Sequence, residues 1–327
     1  MIETLKVKNF KSIKDLTLSC KEINIFIGEP NTGKSNILET LGIFSYGYYG
    51  IKNGISLNDF VRFEMMSNLF YDETLDDSVE IKFDDKSLEL KFENDRFRGE
   101  YTENGKPVSS FDYDYIGNGN HTKHNDDLFP FKFYKFSVER DYRVKESASL
   151  LPPSGKNLLS VLVSHKEIKS LASQIFSPFG FKLVFKPQEN KIEVLKQYED
   201  IFISYPYSLT SDTLQRLVFY LAAINSNRDS ILAFEEPESH AFPYYTKYLA
   251  EVIALDENNN QYFISTHNPY FLLPILEKSP RDSVAVFVTY FEEYKTKVKP
   301  LNEKEIEQIL EMGIDVFFNM ERFLQEK

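Results

Sequence analysis

The sequence predicts an α/β fold with a parallel central sheet flanked by helices, an antiparallel β part at the N-terminus, and an inserted β-rich and helical lobe. The apolar, β-branched run at residues 23–27 leads straight into a glycine-bearing loop, then into a segment with Ile37, Leu38, Leu41 and Phe44 at helical spacing. Two further short apolar runs, "ILAF" and "QYFIS", are separated by a helical stretch near residues 244–254, the alternation that builds parallel sheets. At 327 residues, 42% hydrophobic and 27% charged, the chain can bury a large core and has neither a disordered nor a fibrous composition.

In chain order, "LKVKNF" and "LTLSC" alternate apolar and polar residues and read as opening strands. From about residue 52 to 130 the composition turns acidic and aromatic. Here "SVEIKF", "SLELKF" and "RFRGEYTENGKPV" predict short antiparallel strands of an inserted β lobe. "LLPPSGKN" marks a boundary, followed by a helix near residues 158–175 and a hairpin from "FKLVFKP" to "KIEVLKQ" across a turn at 188–190. Ser211 is the expected N-cap of a helix whose Leu214, Leu217, Val218, Leu221 and Ile224 share one face. The tail adds "SVAVFVTY", "YKTKVKPL" and a helix from Glu303. The chain therefore divides into core segments at 1–50 and 206–327 around an inserted β lobe with a helical and hairpin subdomain at 51–205.

The charge balance excludes some functions. Lys and Arg total 38 against 50 Asp and Glu, a net charge of −12 that repels phosphate backbones and argues against a protein coating nucleic acid with its whole surface. With Cys20 alone, no disulfide can form within the chain, which fits a reducing interior. The first segment is charged from its third residue and lacks a signal-peptide apolar region, and no apolar run approaches the roughly 18 residues of a membrane span. A cytoplasmic protein without a membrane partner is the expectation.

The strongest chemical signal is residues 28–35, "GEPNTGKS", which satisfies G-x-x-x-x-G-K-[ST] between a strand and a helix. Such a loop wraps a triphosphate with its amides. Gly28, Glu29, Pro30, Asn31, Thr32, Gly33, Lys34, Ser35 and Asn36 are the candidate binding residues, with Gly28 and Gly33 allowing close backbone approach. Lys34 neutralises β and γ oxygens, and the Ser35 hydroxyl is a Mg²⁺ ligand. The second signal is "ILAFEEPESH", where an apolar strand delivers Glu235 and Glu236 to the sheet edge at which open α/β sheets bind ligands. Glu235 is assigned to the metal side and Glu236 to the attacking water. The third is "FISTHNP", which brings His267 to the same edge as a γ-phosphate contact. The fourth is the start of the Ser211 helix, whose free amides and dipole form a phosphate site, although an ordinarily capped helix explains that segment as well.

Other features have ordinary explanations. His121 and His124 lie in a polar loop without cysteine, so a solvated loop fits better than zinc. Phe131, Phe133, Tyr134 and Phe136 read as a strand packing one face on the core. Asp72, Glu73, Asp76 and Asp77 read as solvated surface, and Ser154 and His165 show no triad logic.

The order of these motifs resembles the ABC-type ATPase heads of the RecF, SMC and OLD group, AAA-family ATPases of the AAA_15 or AAA_21 type. The opening "LKVKNFKSIKDLTL", the Walker A loop "GEPNTGKSN", the Walker B and D-loop segment "EEPESHAFP" and the switch "STHNP" carry the likeness. It covers about residues 1–44 and 209–271. The resemblance implies a P-loop NTPase of ABC-ATPase type that binds ATP with Mg²⁺ and hydrolyses it slowly. It also implies that Ser211, Asp212 and Thr213 touch the γ-phosphate held by a second identical chain, giving a head-to-tail homodimer on ATP binding. Glu238 and His240 would belong to the D-loop that crosses this interface. The chain departs from the pattern in two places: the signature lacks the glycines of transporters, and Glu235 replaces the metal-side Asp. No arm-length coiled coil is present, and only 60 residues follow His267, too few for a TOPRIM nuclease.

The implied function is a Mg-ATPase whose ATP-driven dimerisation is coupled to a partner. An alternative is a nucleotide-sensing assembly module of a two-component antiviral or DNA-repair system, with little turnover of its own and a separately encoded nuclease as effector. DNA is a further candidate partner.

Overall fold

The computed structural model describes residues 1–123 and 130–325. β1 (Thr4–Phe10), β2 (Ile13–Ser19) and β3 (Ile23–Gly28) lead into α1 (Lys34–Ser45), which continues through a π-turn at Tyr46–Gly50 into a last turn, α2 (Ile51–Asn53). Then come β4 (Val79–Phe83), β5 (Lys86–Glu93), β6 (Arg96–Glu103), β7 (Lys106–Tyr113), β8 (Gly119–Lys123) and β9 (Phe131–Tyr134). α3 (Leu158–Ser164) and α4 (Lys166–Phe176) precede β10 (Phe181–Lys186), β11 (Lys191–Tyr198) and β12 (Ile201–Pro206). α5 (Asp212–Ser226), β13 (Ile231–Glu235), α6 (Pro243–Ala254), β14 (Gln261–Ser265), α7 (Pro269–Lys278), β15 (Val284–Glu292), β16 (Lys295–Pro300) and α8 (Glu303–Met312) complete the core.

The central sheet has the order β16-β15-β3-β14-β13-β9, parallel except for β16. Every residue of β3 is buried, as expected of a strand covered on both faces. Its side chains alternate. Ile23, Ile25 and Ile27 join α5, α6 and α7 in one core, while Phe26 stacks with Phe287 on the other face and joins α1 and the N-terminal strands in a second core. The parallel register sets Glu235 opposite Ser265 and Ser265 opposite Phe26, so the carboxyl ends of β13, β14 and β3 lie at one level. That edge is where the chemistry-bearing segments emerge.

The structure departs from the sequence reading in several places. The strands within residues 52–123, read as an inserted β lobe, continue the N-terminal sheet. β4 pairs with β1, and a seven-stranded antiparallel sheet, β2-β1-β4-β5-β6-β7-β8, lies over α1 as one continuous layer. β9 is buried on both faces rather than one, because it forms the parallel edge of the central sheet beside β13. The expected helix near 158–175 is broken at His165, whose extended φ and ψ separate α3 from α4. β12 lacks an alternating pattern and has all six residues exposed, which is why its sequence did not read as a strand. His121 is exposed in β8, and His124 lies outside the described residues. Ser154 Oγ donates to Glu139 Oε1, and His165 Nε2 meets the Ser147 carbonyl. Among the described residues no helix is long and apolar enough to cross a membrane.

Candidate functional site

The loop between β3 and α1 is held by its own glycines and by the β15–β16 hairpin. Gly33 has φ 94°, and a Cβ there would meet Thr296 Oγ1 at 2.0 Å; at Gly28 a Cβ would meet Thr289 Oγ1 at 2.3 Å. Both glycines are thus demanded by packing on two threonines as well as by backbone conformation. Thr289 and Thr296 in turn bond to the loop and its neighbour: Thr32 Oγ1 lies 2.7 Å from Thr289 Oγ1, and Thr296 Oγ1 lies 2.6 Å from Ser12 Oγ. Gly33→Ala should therefore destabilise the fold by at least about 2 kcal/mol, from left-handed backbone strain plus displacement of a bonded threonine. Thermal unfolding checks this; a variant melting with the wild type refutes it.

Lys34 Nζ donates to the carbonyls of Gly28 at 2.9 Å and Glu29 at 2.7 Å. Burial lowers its ammonium to about 8, with Glu236 and Glu29 pulling it back up. Around it lies a cavity of about 430 Å³ lined by residues 30–36 together with Ser12, Arg62, Glu236, His267 and Phe291. Lys34, Ser35, Glu236 and His267, from segments far apart in the chain, therefore share one cavity. Glu29 and Asn31 are exposed on the loop, and Asn36 donates to Ser12 Oγ at 2.7 Å, with Asn36 and Ser12 both lining the cavity.

Glu236 sits just past the end of β13 with φ 43°. His267 Nε2 lies 3.3 Å from its Oε1, and Ser239 Oγ donates to its Oε2 at 3.1 Å. The His267 contact leads the forces that hold this carboxyl below its ordinary range, against a desolvation that acts the other way. Glu236 is thus ionised near neutrality, the state a water-orienting base requires. Glu235, one residue earlier, meets Arg62 Nη2 at 3.4 Å. Glu238 turns inward: it is 5% exposed, accepts from Thr266 Oγ1, and burial pushes its carboxyl up to about 7. His240, by contrast, is exposed, and its carbonyl accepts from Thr213 Oγ1 at 2.9 Å.

Ser211 occupies the N-cap position of α5, and its side chain makes no capping bond. Ser211 and Thr213 do not line the loop cavity. They line a separate apolar groove of about 710 Å³ with Phe181, Tyr205, Leu209 and Phe242. The structure therefore brings together the loop, Glu236 and His267 but leaves the α5 start apart from them within one chain.

The sequence reading missed Arg62, Glu39 and Lys11. Glu39, on α1, is 2% exposed; it accepts from Arg62 Nε at 2.7 Å and pairs with Lys11. Burial alone would weaken the proton of Arg62, but Glu39, Glu235 and Glu236 outweigh it and hold the group above its ordinary value. The one signal was an acidic residue among apolar positions in "NILETLGIF", which needs a buried cation that the sequence does not name. Beside the loop cavity, and sharing Ser12, Arg62 and Phe291 with it, lies a larger one of about 850 Å³ that also meets Phe63, Phe70 and Tyr294.

Residues 1–142 match the AAA ATPase domain family, AAA_15. An uncharacterized protein of Methanocaldococcus jannaschii is 35% identical over 112 residues, 30% of this chain and 49% of that protein, so the chain spans about half the length of this curated relative. An SMC head solved with the C-terminal winged-helix domain of ScpA superposes with a TM-score of 0.53 and 15% identity, over 94% of this chain and 99% of that one. The Pyrococcus furiosus SMC head with an extended coiled coil, bound to the C-terminal domain of ScpA, gives a TM-score of 0.53 and 13% identity, over 95% and 98% of the two chains. The chain thus has the fold of an SMC head, and its first 142 residues match the AAA ATPase domain family.

Proposed function

We propose that the chain binds ATP with Mg²⁺ in the cavity at the β3–α1 loop, hydrolyses it slowly, and pairs head-to-tail with a second copy around the nucleotide. The observation that carries this reading is the convergence of Lys34, Ser35, Glu236 and His267 on one cavity of about 430 Å³. In this reading the loop amides and Lys34 hold the β- and γ-phosphates, and His267 contacts the γ-phosphate. Glu236 orients and deprotonates the attacking water. The base occupies the adjoining larger cavity beside Phe291 and Tyr294.

Ser35 and Glu235 would hold the magnesium ion. Among the described residues no group of three or more His, Cys, Asp or Glu could bind a metal unaided. Magnesium takes one or two protein ligands and completes its shell with phosphate oxygens and water. When bound, it would neutralise charge developing on the phosphates.

Ser211, Asp212 and Thr213 would act on the nucleotide of the other copy. Their separation from the loop cavity of their own chain supports this reading, as does the placement of Ser211 at the open end of α5. Coupling to a partner, whether a separately encoded nuclease or DNA, belongs to the same proposal; the SMC heads solved with ScpA domains offer a precedent. Mg²⁺-dependent phosphate release by the wild-type chain, with and without DNA, tests the proposal. Nucleotide binding with no release under either condition would favour the sensing-module reading.

The Lys34 environment adds a pH dependence. Phosphate oxygens stabilise the charged ammonium, so its proton affinity rises on binding from a starting value of about 8. Nucleotide binding at pH 8.5 should therefore take up a fraction of a proton, and affinity should fall as pH rises above 8. Calorimetry in two buffers of different ionisation enthalpy measures this. Identical apparent enthalpies would refute it.

A further inference from the structure

Glu238 is an acid that the fold has taken out of solvent. It is buried, and its Oε2 has no hydrogen-bond partner among the described residues. A carboxyl in such a place costs stability unless its remaining contacts are put to use. Burial chiefly raises its proton affinity and Glu236 adds to that, while Thr266 and the amides of Glu238 and His267 act the other way.

The contacts that Glu238 does make run to the turn that carries His267. Its Oε1 accepts from Thr266 Oγ1, and Thr266 is itself fully buried. The same hydroxyl accepts from the Asn268 N–H at 3.0 Å, and the Thr266 N–H donates to the Phe26 carbonyl at 3.1 Å. A hydroxyl has one proton to give, so giving it to Glu238 turns a lone pair towards the Asn268 amide. Asn268 in turn caps α7, its Oδ1 accepting from the Tyr270 N–H at 2.9 Å. The residues on either side of His267 are thereby tied down. Two positions before Glu238, Glu236 Oε1 meets His267 Nε2 at 3.3 Å. The segment after β13 thus holds this histidine twice, by its ring through Glu236 and by its flanking backbone through Glu238.

We propose that Glu238 is a positioning residue, which through Thr266 and Asn268 aims His267 at Glu236 and at the γ-phosphate. The role rests on the hydrolysis reading above, and it differs from the place at an interface that the resemblance implies for this residue. Glu238 does not line the loop cavity, so its loss should reach the rate through His267 and leave nucleotide affinity in place.

Three measurements on the full chain test this: phosphate release with Mg-ATP, affinity for a fluorescent N-methylanthraniloyl ATP, and the imidazole ring signals of His267 by NMR. The NMR uses nucleotide-free, histidine-labelled protein at one fixed pH, with the signals assigned by their loss in His267→Gln. Glu238→Leu removes the acceptor at similar volume. It should lower kcat about tenfold or more, since small errors of aim are costly in rate, keep affinity within about twofold, and shift the His267 ring signals. Glu238→Gln still offers Thr266 an amide oxygen, so it should recover most of the lost turnover and the wild-type ring signals. A merely structural acid would not divide kcat from affinity in this way. Wild-type ring signals in Glu238→Leu, affinity falling together with kcat, or a Glu238→Gln as impaired as Glu238→Leu would each overturn the proposal. Should Glu238→Leu fail to fold, Thr266→Val removes the same bond from the other side and is read by the same three values. A wild-type chain that releases no phosphate refutes the hydrolysis reading, and the ring signals of the variants then decide by themselves whether Glu238 aims His267.

Discussion

Lys34→Ala should reduce ATP affinity by at least about 100-fold. The ammonium is the cation deepest in the loop cavity, and two charge-assisted hydrogen bonds to phosphate oxygens contribute about 1.5–3 kcal/mol each. Against this stands the cost of releasing the carbonyls of Gly28 and Glu29, which Lys34 now holds at 2.9 and 2.7 Å. Those are neutral acceptors, whereas phosphate oxygens are anionic, and the cavity is partly desolvated, so the exchange favours phosphate. The net effect, about 3 kcal/mol or more, corresponds to the stated factor. The fold should survive, because the loop is held independently by Thr289, Thr296 and the two glycines. Isothermal titration with ATP, with a thermal scan alongside, decides it. A variant within fivefold of wild type would show that the cavity does not bind phosphate through this loop.

Glu236→Gln should lower turnover by at least about 100-fold while leaving ATP bound, so that an ATP-loaded dimer accumulates. The amide keeps the shape of the side chain and can still accept from Ser239. It loses the negative charge that orients and deprotonates water, and general-base catalysis of this kind contributes roughly 10²–10⁴-fold. It also removes a negative charge from the cavity lining, so nucleotide affinity should hold or rise. Phosphate release and sedimentation velocity with Mg-ATP measure the two halves. Undiminished release would remove Glu236 from the reaction, and unchanged sedimentation would count against pairing around ATP.

The sequence carried those parts of the fold that repeat locally. β3, α1, α5, β13 and β14 were legible because each has a strand run or helical spacing bounded by turn residues, and a buried strand between two helical layers tolerates little else. The loop at residues 28–35 was legible because its glycines, lysine and serine stand at fixed spacing in one contiguous segment. β12 was not, since an exposed strand without alternation has no pattern to detect. Nor was the joining of β4–β8 to β1 and β2, because strand pairing across some seventy residues is set by which edges remain unpaired once the layers assemble, and no local window contains that information.

The same division holds at the site. Lys34, Ser35, Glu236 and His267 could be named from short windows at three strand-to-loop junctions. Their common cavity depends on the parallel register of β3, β14 and β13, which brings three distant junctions to one level. Arg62, Glu39 and Lys11 lay beyond sequence reasoning, because a buried ion pair is specified by desolvation and mutual reach in three dimensions. Glu238, which the resemblance places in the D-loop, is buried within its own chain and accepts from Thr266, a contact that no local window of the sequence contains. The chain's order of residues thus determined which chemical groups stand at the ends of which strands. Only the closing of the layers decided which of them meet, because hydrophobic burial acts on whole faces and carries the polar ends along with it.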